Sequence, residues 1–280
     1  MFSENDYKEY LLHKKLNERT IGAYIRDAQH FCDEADELNV SGLDAVTEEI
    51  IDGYCKRRIK EGMAVVSVQR KLASLKKLFE YMQHIGQADC NPADGVKLKA
   101  GEKAARRVLT KSEINRLLAQ PQKCTPGAIR DCAMFELMLS TGIKVTELIN
   151  LEAEGAVADS QKILIVRDGE VMDMYLDDKA HKCLWRYLTS AREVLLAGNT
   201  ESALFLNARG HRLSRQGFWK ILRKRADAMN LGHVTPETLR RTFAYHFAGA
   251  GHDIYCLNKV LGHSSVAITK AYIKERVEPK

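Results

Sequence analysis

Three side chains near the end of the chain, an arginine, a histidine and a tyrosine, are of types that can do chemistry together. Arg240 lies in the run Thr235-Pro-Glu-Thr-Leu-Arg-Arg-Thr-Phe-Ala-Tyr-His-Phe, His263 lies in Leu261-Gly-His-Ser-Ser, and Tyr272 follows that histidine by nine residues. Thr235 and Pro236 spell a helix start, an N-cap followed by a first-turn proline. Arg240 then projects one turn later, close to a helix N-terminus whose free amides already favour an anion. A tyrosine hydroxyl can serve as a nucleophile, and an arginine and a histidine are hydrogen-bond donors suited to an anion. Each residue also has an ordinary reading. Arg240 suits the polar face of an amphipathic helix, His263 a turn before two helix-capping serines, and Tyr272 a half-buried position on a helix.

Taken together, the Leu-Arg-x-Thr-Phe context, Leu-Gly-His-Ser-Ser and the tyrosine in register resemble the catalytic signature of the tyrosine site-specific recombinases, the lambda-integrase and Xer-like phage integrase family. The resemblance implies that Tyr272 attacks a DNA phosphodiester in line, giving a 3′-phosphotyrosyl bond and a free 5′-hydroxyl. A 5′-hydroxyl from a partner strand then reverses the step. It implies neither a metal nor another cofactor, because the bond energy is kept in the covalent intermediate. Rate enhancement must then come from positioning and from cations placed where negative charge accumulates.

The same resemblance exposes three departures. Ser140-Thr-Gly-Ile-Lys-Val-Thr-Glu-Leu is similar to the family's Thr-Gly-x-Arg-x-x-Glu-Leu box, with Lys144 where the first catalytic arginine is expected. Lysine keeps the charge and loses the planar fork that holds two phosphoryl oxygens. Losing one preorganised donor commonly costs about 10²–10³ in rate. Glu237 stands where the family has histidine or lysine. As a first-turn acid it suits the helix dipole, and its spacing predicts a pair with Arg240. Arg167 falls near the hairpin position where the family places a general-acid lysine, and arginine is a poor proton donor at neutral pH. Two functions of different class follow: a recombinase of Xer or integrase type, slowed by the altered positions, or a weakened or inactive DNA-binding paralogue acting as an architectural, regulatory or partner subunit. A more distant third is a relaxing enzyme similar to the type IB topoisomerases.

The elements that must position these residues are mainly helical. Ile21, Tyr24, Ile25, Ala28, Phe31 and Cys32 recur at helical spacing, as do Val68, Leu72, Leu75, Phe79 and Met82, and together these predict a bundle of about four helices. Turns are expected at Asn39–Ser41, Gly62 and Asn91-Pro92. Leu109-Thr-Lys-Ser-Glu starts a further helix capped by Thr110 or Ser112, and another over Ile129–Thr141 stops at Gly142. Asp168-Gly169 between the apolar runs 162–166 and 171–176 predicts a hairpin, and the chain reads as helical again from Lys179. The expected fold is mainly α with a small antiparallel sheet, in two lobes. With the resemblance, residues 1–98 become a helical core-binding (SAM-like) domain, 99–106 a basic linker, and 107–280 an α+β catalytic domain, the lobes closing around double-stranded DNA.

Charge and composition set the remaining bounds. The net charge is +6, and it is unevenly placed: residues 1–98 carry 14 Lys/Arg against 17 Asp/Glu, residues 99–280 carry 29 against 20. A basic second segment fits a polyanion partner. Arg70, Lys71, Lys76 and Lys77 on the 67–85 helix, and Arg212, Arg215, Lys220, Arg223, Lys224 and Arg225 around Phe218 and Trp219, are candidates to neutralise phosphates. No apolar run approaches the roughly 18 residues of a membrane span, and a cytoplasmic location is expected. The seven cysteines lack a Cys-x-x-Cys pair and read as reduced core thiols, with no zinc site. The resemblance implies a homo-oligomer, a tetramer, or a hetero-oligomer with a related recombinase on DNA. Eight residues follow Tyr272, short of the segment that members of the family often dock on a neighbouring subunit.

Overall fold

The structure is a computed structural model that describes residues 3–37, 40, 42–98, 107–119, 124–156, 161–167 and 169–274. The chain forms two compact units, residues 1–104 and 105–280. The expected linker 99–106 and Asp168 of the hairpin turn lie outside the described residues.

Among its described residues the first unit holds four α-helices, α1 (Glu4–His13), α2 (Glu18–Glu37), α3 (Glu48–Lys60) and α4 (Val65–His84), with a 3₁₀ turn at Leu43–Ala45. The periodic residues form its core as expected. Ile21, Ile25, Ala28 and Phe31 of α2 are buried with Val68, Leu72, Leu75, Phe79 and Met82 of α4, closed by Tyr7, Leu11, Ile51 and Tyr54. Burial of each large apolar side chain stabilises by roughly 1.5–3 kcal/mol. Phe31 meets both Tyr54 and Phe79 edge-on. Gly62, with φ of +90°, turns the chain out of α3. Tyr24 and Cys32 sit at the margin of the stripe and are part-exposed.

The second unit begins with α5 (Lys111–Leu118), whose capping box is closed by Glu113 N–H donating to Thr110 Oγ1 at 3.2 Å and Thr110 N–H donating to Glu113 Oε2 at 2.8 Å. Helix α6 (Pro126–Thr141) starts at the Thr125 cap and is the spine of the core. Its Ala133, Met134, Phe135, Leu137 and Met138 are buried with Ile163, Ile165, Leu184, Tyr187, Phe205, Phe218 and Leu222. It stops at Gly142, whose φ of +64° is left-handed, and a Cβ there would lie 2.3 Å from the Phe243 ring. After the short α7 (Val145–Ile149), β1 (Lys162–Arg167) and β2 (Glu170–Tyr175) form an antiparallel pair in register from Lys162↔Tyr175 to Arg167↔Glu170. The inward face carries Ile163 and Ile165.

Helix α8 (Asp178–Tyr187) continues through a π turn at Leu188–Arg192 into α9 (Glu193–Leu196). The expectation of helix from Lys179 onward then fails for about one and a half dozen residues. Ala197 and Gly198 take positive φ and end the helix, and the next stretch is irregular, with a turn and the isolated bridges Glu152↔Ala203 and Leu206↔Arg212. The reason is burial: Leu204, Phe205 and Leu206 are consecutive and all fully buried, which a helix on a surface does not permit. Helices α10 (Arg215–Ala228), α11 (Pro236–Gly249), α12 (Ile254–Leu261) and α13 (Val266–Lys274) complete the unit. A small second cluster, Phe243, Ala244, Leu257 and Leu261 with Tyr272 and Ile273 against it, joins the last three.

The cysteine expectation needs correcting. All seven are outside disulfides, but Cys90, Cys124 and Cys256 are exposed and only Cys55 and Cys132 are buried. Their spacing carried no information on which helix face each would occupy. Among the described residues no group of three His, Cys, Asp or Glu is placed to hold a metal ion, and no helix is long and apolar enough to cross a membrane.

Candidate active site

Arg240 is buried, and the local sequence explains how. Thr235 Oγ1 accepts from Thr238 N–H at 3.0 Å, which fixes the first turn of α11 and turns Arg240 inward. Its Nη1 donates to Gly142 O at 2.6 Å and its Nη2 to Leu261 O. Those carbonyls close α6 and α12 and have no helical partner, so a charged donor suits them. Arg240 therefore ties two helix ends together and keeps further N–H groups for a ligand. Burial lowers its pKa, but a guanidinium remains charged.

His263 follows Gly262, the left-handed cap of α12. Its N–H donates to Asn258 O at 3.2 Å, Asn258 Nδ2 donates back to His263 O at 2.9 Å, and the ring Nδ1 lies 2.9 Å from Oγ1 of the buried Thr269. Burial, and then the charge of Arg240, hold its pKa below the ordinary histidine value, so the ring is neutral at pH 7. Tyr272 meets that ring edge-on, with centroids 5.0 Å apart. The Tyr272 hydroxyl is buried without a hydrogen-bond partner. Burial pushes the phenol pKa well up and the negative charge of Glu237 adds to it, while Arg240 and Arg241 pull it down. The Glu237 carboxylate thus acts on the phenol by charge, short of hydrogen-bond geometry.

Glu237 does not pair with Arg240, contrary to the sequence expectation. It reaches Arg241, four residues on, at 3.3 Å, because Arg240 is turned into the core with its fork on two carbonyls. Arg241 was not singled out in the sequence. Its guanidinium carbon lies 4.4 Å from the Tyr272 ring centroid, so one residue joins Glu237 to Tyr272.

Lys144 is the N-cap residue of α7, and its side chain is 43% exposed with Nζ 3.8 Å from Glu147 Oε1. Glu147 is the buried hub of this corner. It accepts from Lys144 N–H at 2.8 Å, from Arg167 Nε at 2.8 Å and from Arg167 Nη2 at 3.2 Å. Burial alone would raise its pKa, but the hydrogen bonds and charges of Arg167 and Lys144 bring it below the ordinary value. Arg167 is buried at the end of β1, and its Nη1 also donates to Lys259 O at 3.2 Å and Val260 O at 3.0 Å. A Cβ on Gly262 would lie 2.8 Å from that side chain. Arg167 is thus a buried fork joining the hairpin, α7 and α12, and not an exposed proton donor on the hairpin.

The expected DNA-contacting residues divide in two. Arg215, Lys220, Arg223 and Lys224 are exposed on α10, Arg223 only loosely paired with Asp227 at 3.9 Å. Arg212 is committed internally, to Ile149 O at 3.1 Å and Glu152 at 2.6 Å, and Arg225 donates to Leu117 O at 2.8 Å. On α4 every candidate has an acidic partner: Arg70 and Lys71 share Asp27, Lys76 lies 3.8 Å from Asp94, and Lys77 is 2.5 Å from Glu80. They balance charge within their own unit.

A mainly helical chain with one small hairpin and an arginine, histidine and tyrosine drawn together across α11–α13 matches one class of protein in comparison. Residues 107–278 match the phage integrase family, and residues 5–86 match the phage integrase N-terminal SAM-like domain. The chain belongs to the phage integrase family. It is similar to the tyrosine recombinase XerC of Roseiflexus sp. (strain RS-1), 33% identical over 96% of this chain and 88% of the relative. It is similar to the tyrosine recombinase XerD of Listeria innocua as well, 32% identical over 96% of this chain and 92% of the relative. Its fold is also that of a lambda integrase dimer bound to a COC′ core site (TM-score 0.75, 17% identity, 99% of this chain and 95% of that one). The Tn1549 transposon integrase in complex with circular intermediate DNA is similar too (TM-score 0.74, 17% identity, 97% and 95%).

Proposed function

We propose that this protein is a site-specific DNA recombinase that breaks and rejoins double-stranded DNA through a 3′-phosphotyrosyl intermediate on Tyr272. The observation that carries the reading is the joining of Arg240, His263 and Tyr272 at one corner: Arg240 on the last carbonyl of α12, His263 two residues beyond, and Tyr272 against the histidine ring. Family membership supports it, as do relatives named tyrosine recombinases.

In this reading the Tyr272 oxygen loses its proton and forms a bond to phosphorus while the bond to the 5′-oxygen breaks, and the departing 5′-oxygen takes up a proton to leave as a hydroxyl. Remaining Arg240 donors, a ring N–H of His263 and the exposed Lys144 ammonium stabilise the charge on the phosphoryl oxygens. Lys144 does so as a point charge, without the fork. Arg167 and Glu147 are positioning residues that hold α7 against the end of α12. Residues 107–280 form the catalytic domain, residues 1–98 contribute to holding DNA, and Arg215, Lys220 and Arg223 contact phosphates. Assembly is with further copies of the chain, or with a related recombinase, on DNA.

A weakened or inactive DNA-binding paralogue is the second reading, favoured by Lys144, by the internal commitment of Arg167 and by a Tyr272 hydroxyl that is buried and held protonated. Covalent capture separates the two. Wild type and Tyr272→Phe are incubated with nicked DNA from around the protein's own gene, denatured in detergent and examined for a protein–DNA adduct. An adduct in wild type alone supports the recombinase. Salt-dependent binding by both without an adduct selects the paralogue.

A further inference from the structure

The corner holds two buried polar atoms that the reading above leaves without partners, and they belong to residues in contact. Arg241 Nη1 and Tyr272 Oη are each buried with no hydrogen-bond partner, and the Arg241 guanidinium lies over the Tyr272 ring at 4.4 Å. Buried donors are almost always paired, so an orphaned guanidinium N–H marks a place for an acceptor that arrives from outside. The acceptor's charge follows from the donor: a guanidinium fork fits a phosphoryl group or a carboxylate.

The surroundings say which. Arg241's other terminal nitrogen is held by Glu237 at 3.3 Å, and that carboxylate is 55% exposed while the arginine is 12% exposed. At 3.3 Å, with its carboxylate side open to solvent, this i,i+4 pair is a weak one that a stronger anion can displace. Arg240 has two donors fixed on carbonyls, Arg167 is tied to Glu147 and α12, and Lys144 has no fork. The phosphate site therefore lacks one guanidinium, and Arg241 has one to give.

We infer that Arg241 is a phosphate-binding residue of this site. In the free chain it rests on Glu237 and over the Tyr272 ring, and on engagement it moves to a non-bridging oxygen of the scissile phosphate. It thereby supplies the second guanidinium that Lys144 does not. The ligand is a DNA phosphodiester, so the inference rests on the recombinase reading. The alternative for the same geometry is a cation–π staple that only holds α13 in place.

The test uses the full chain and reads two quantities: the salt dependence of binding to a double-stranded fragment, and the rate of covalent capture on nicked DNA. Arg241→Ala is expected to lower the slope of log K against log salt by about one and to slow capture by about 10². Arg241→Lys should restore the slope and recover only part of the rate, and also answers for Arg241→Ala should that variant fail to fold. Glu237→Gln should leave the slope unchanged and quicken capture. An unchanged slope in a folded Arg241→Ala, with capture falling only as far as its melting temperature falls, establishes the staple and overturns the inference. If wild type binds DNA and forms no adduct, strand cleavage fails as a function while the slope still decides Arg241. If wild type binds no DNA at all, both fall.

Discussion

Arg240 and Arg167 are anchored on the same helix end: Arg240 donates to Leu261 O, and Arg167 donates to Lys259 O at 3.2 Å and Val260 O at 3.0 Å. The last three carbonyls of α12 are thus all taken by guanidinium groups. Two cations converge there because the negative end of the helix dipole and the Glu147 carboxylate offset their repulsion. His263 lies two residues beyond this end, held there by its hydrogen bonds with Asn258 and Thr269.

Breaking the Arg167–Glu147 pair should be costly. Arg167→Met leaves a buried carboxylate without its partner, and a loss of about 3–5 kcal/mol is expected. Urea denaturation measures it. Adding Glu147→Leu to Arg167→Met should recover much of the loss, since the penalty lies in the stranded charge. A double variant no more stable than the single one would refute that account.

Two glycines should respond oppositely to alanine. Gly142 combines a φ of +64° with a Cβ position 2.3 Å from Phe243, whereas Gly249 at the end of α11 has open space around it. Gly142→Ala should destabilise by at least about 1–3 kcal/mol. Gly249→Ala should be neutral or stabilise by about 0.4–1 kcal/mol. Thermal melts of the pair check both.

Restoring the arginine fork should quicken the chemistry. With Lys144 exposed at the N-cap of α7 and its charge already near Glu147, Lys144→Arg needs little rearrangement. Covalent capture is expected to rise by about 10², with DNA affinity nearly unchanged. No change in rate would place the fork's function elsewhere in the site.

The pH dependence of stability should carry a His263 component of defined sign. Burial and Arg240 hold its folded pKa below the ordinary value near 6.5, so the unfolded chain takes up a proton first as the pH falls. The contribution is complete above about pH 6.5 and is lost downward toward the lowered pKa. Melting temperature should therefore fall more steeply between pH 7 and 5.5 in wild type than in His263→Gln. Parallel curves would show that the histidine is not responsible.

What was legible in the sequence was local. Thr110, Thr235 and Gly142 act as caps because capping depends on residues within one turn, and the stripes of α2 and α4 point inward because periodicity encodes a face. Arg240, His263 and Tyr272 were recognisable because their spacing is carried by contiguous helices. Partners distant in sequence were not legible. Arg212 meets Glu152 across 60 residues, Arg70 meets Asp27 across 43, and Arg167 meets Val260 across 93. Each looked like a free cation, because nothing local says which acid or carbonyl tertiary packing will bring to it.

By itself, then, the sequence determined most of the helical elements and the hairpin, and it offered candidates to act on a phosphate. Tertiary structure decided which charges remain available to do so. Glu237 met Arg241 and not Arg240 because packing, not spacing, turned Arg240 toward Gly142 and Leu261. A charge attracts any opposite charge or dipole that burial brings near, and that choice is made only when α6, α11 and α12 close on one another.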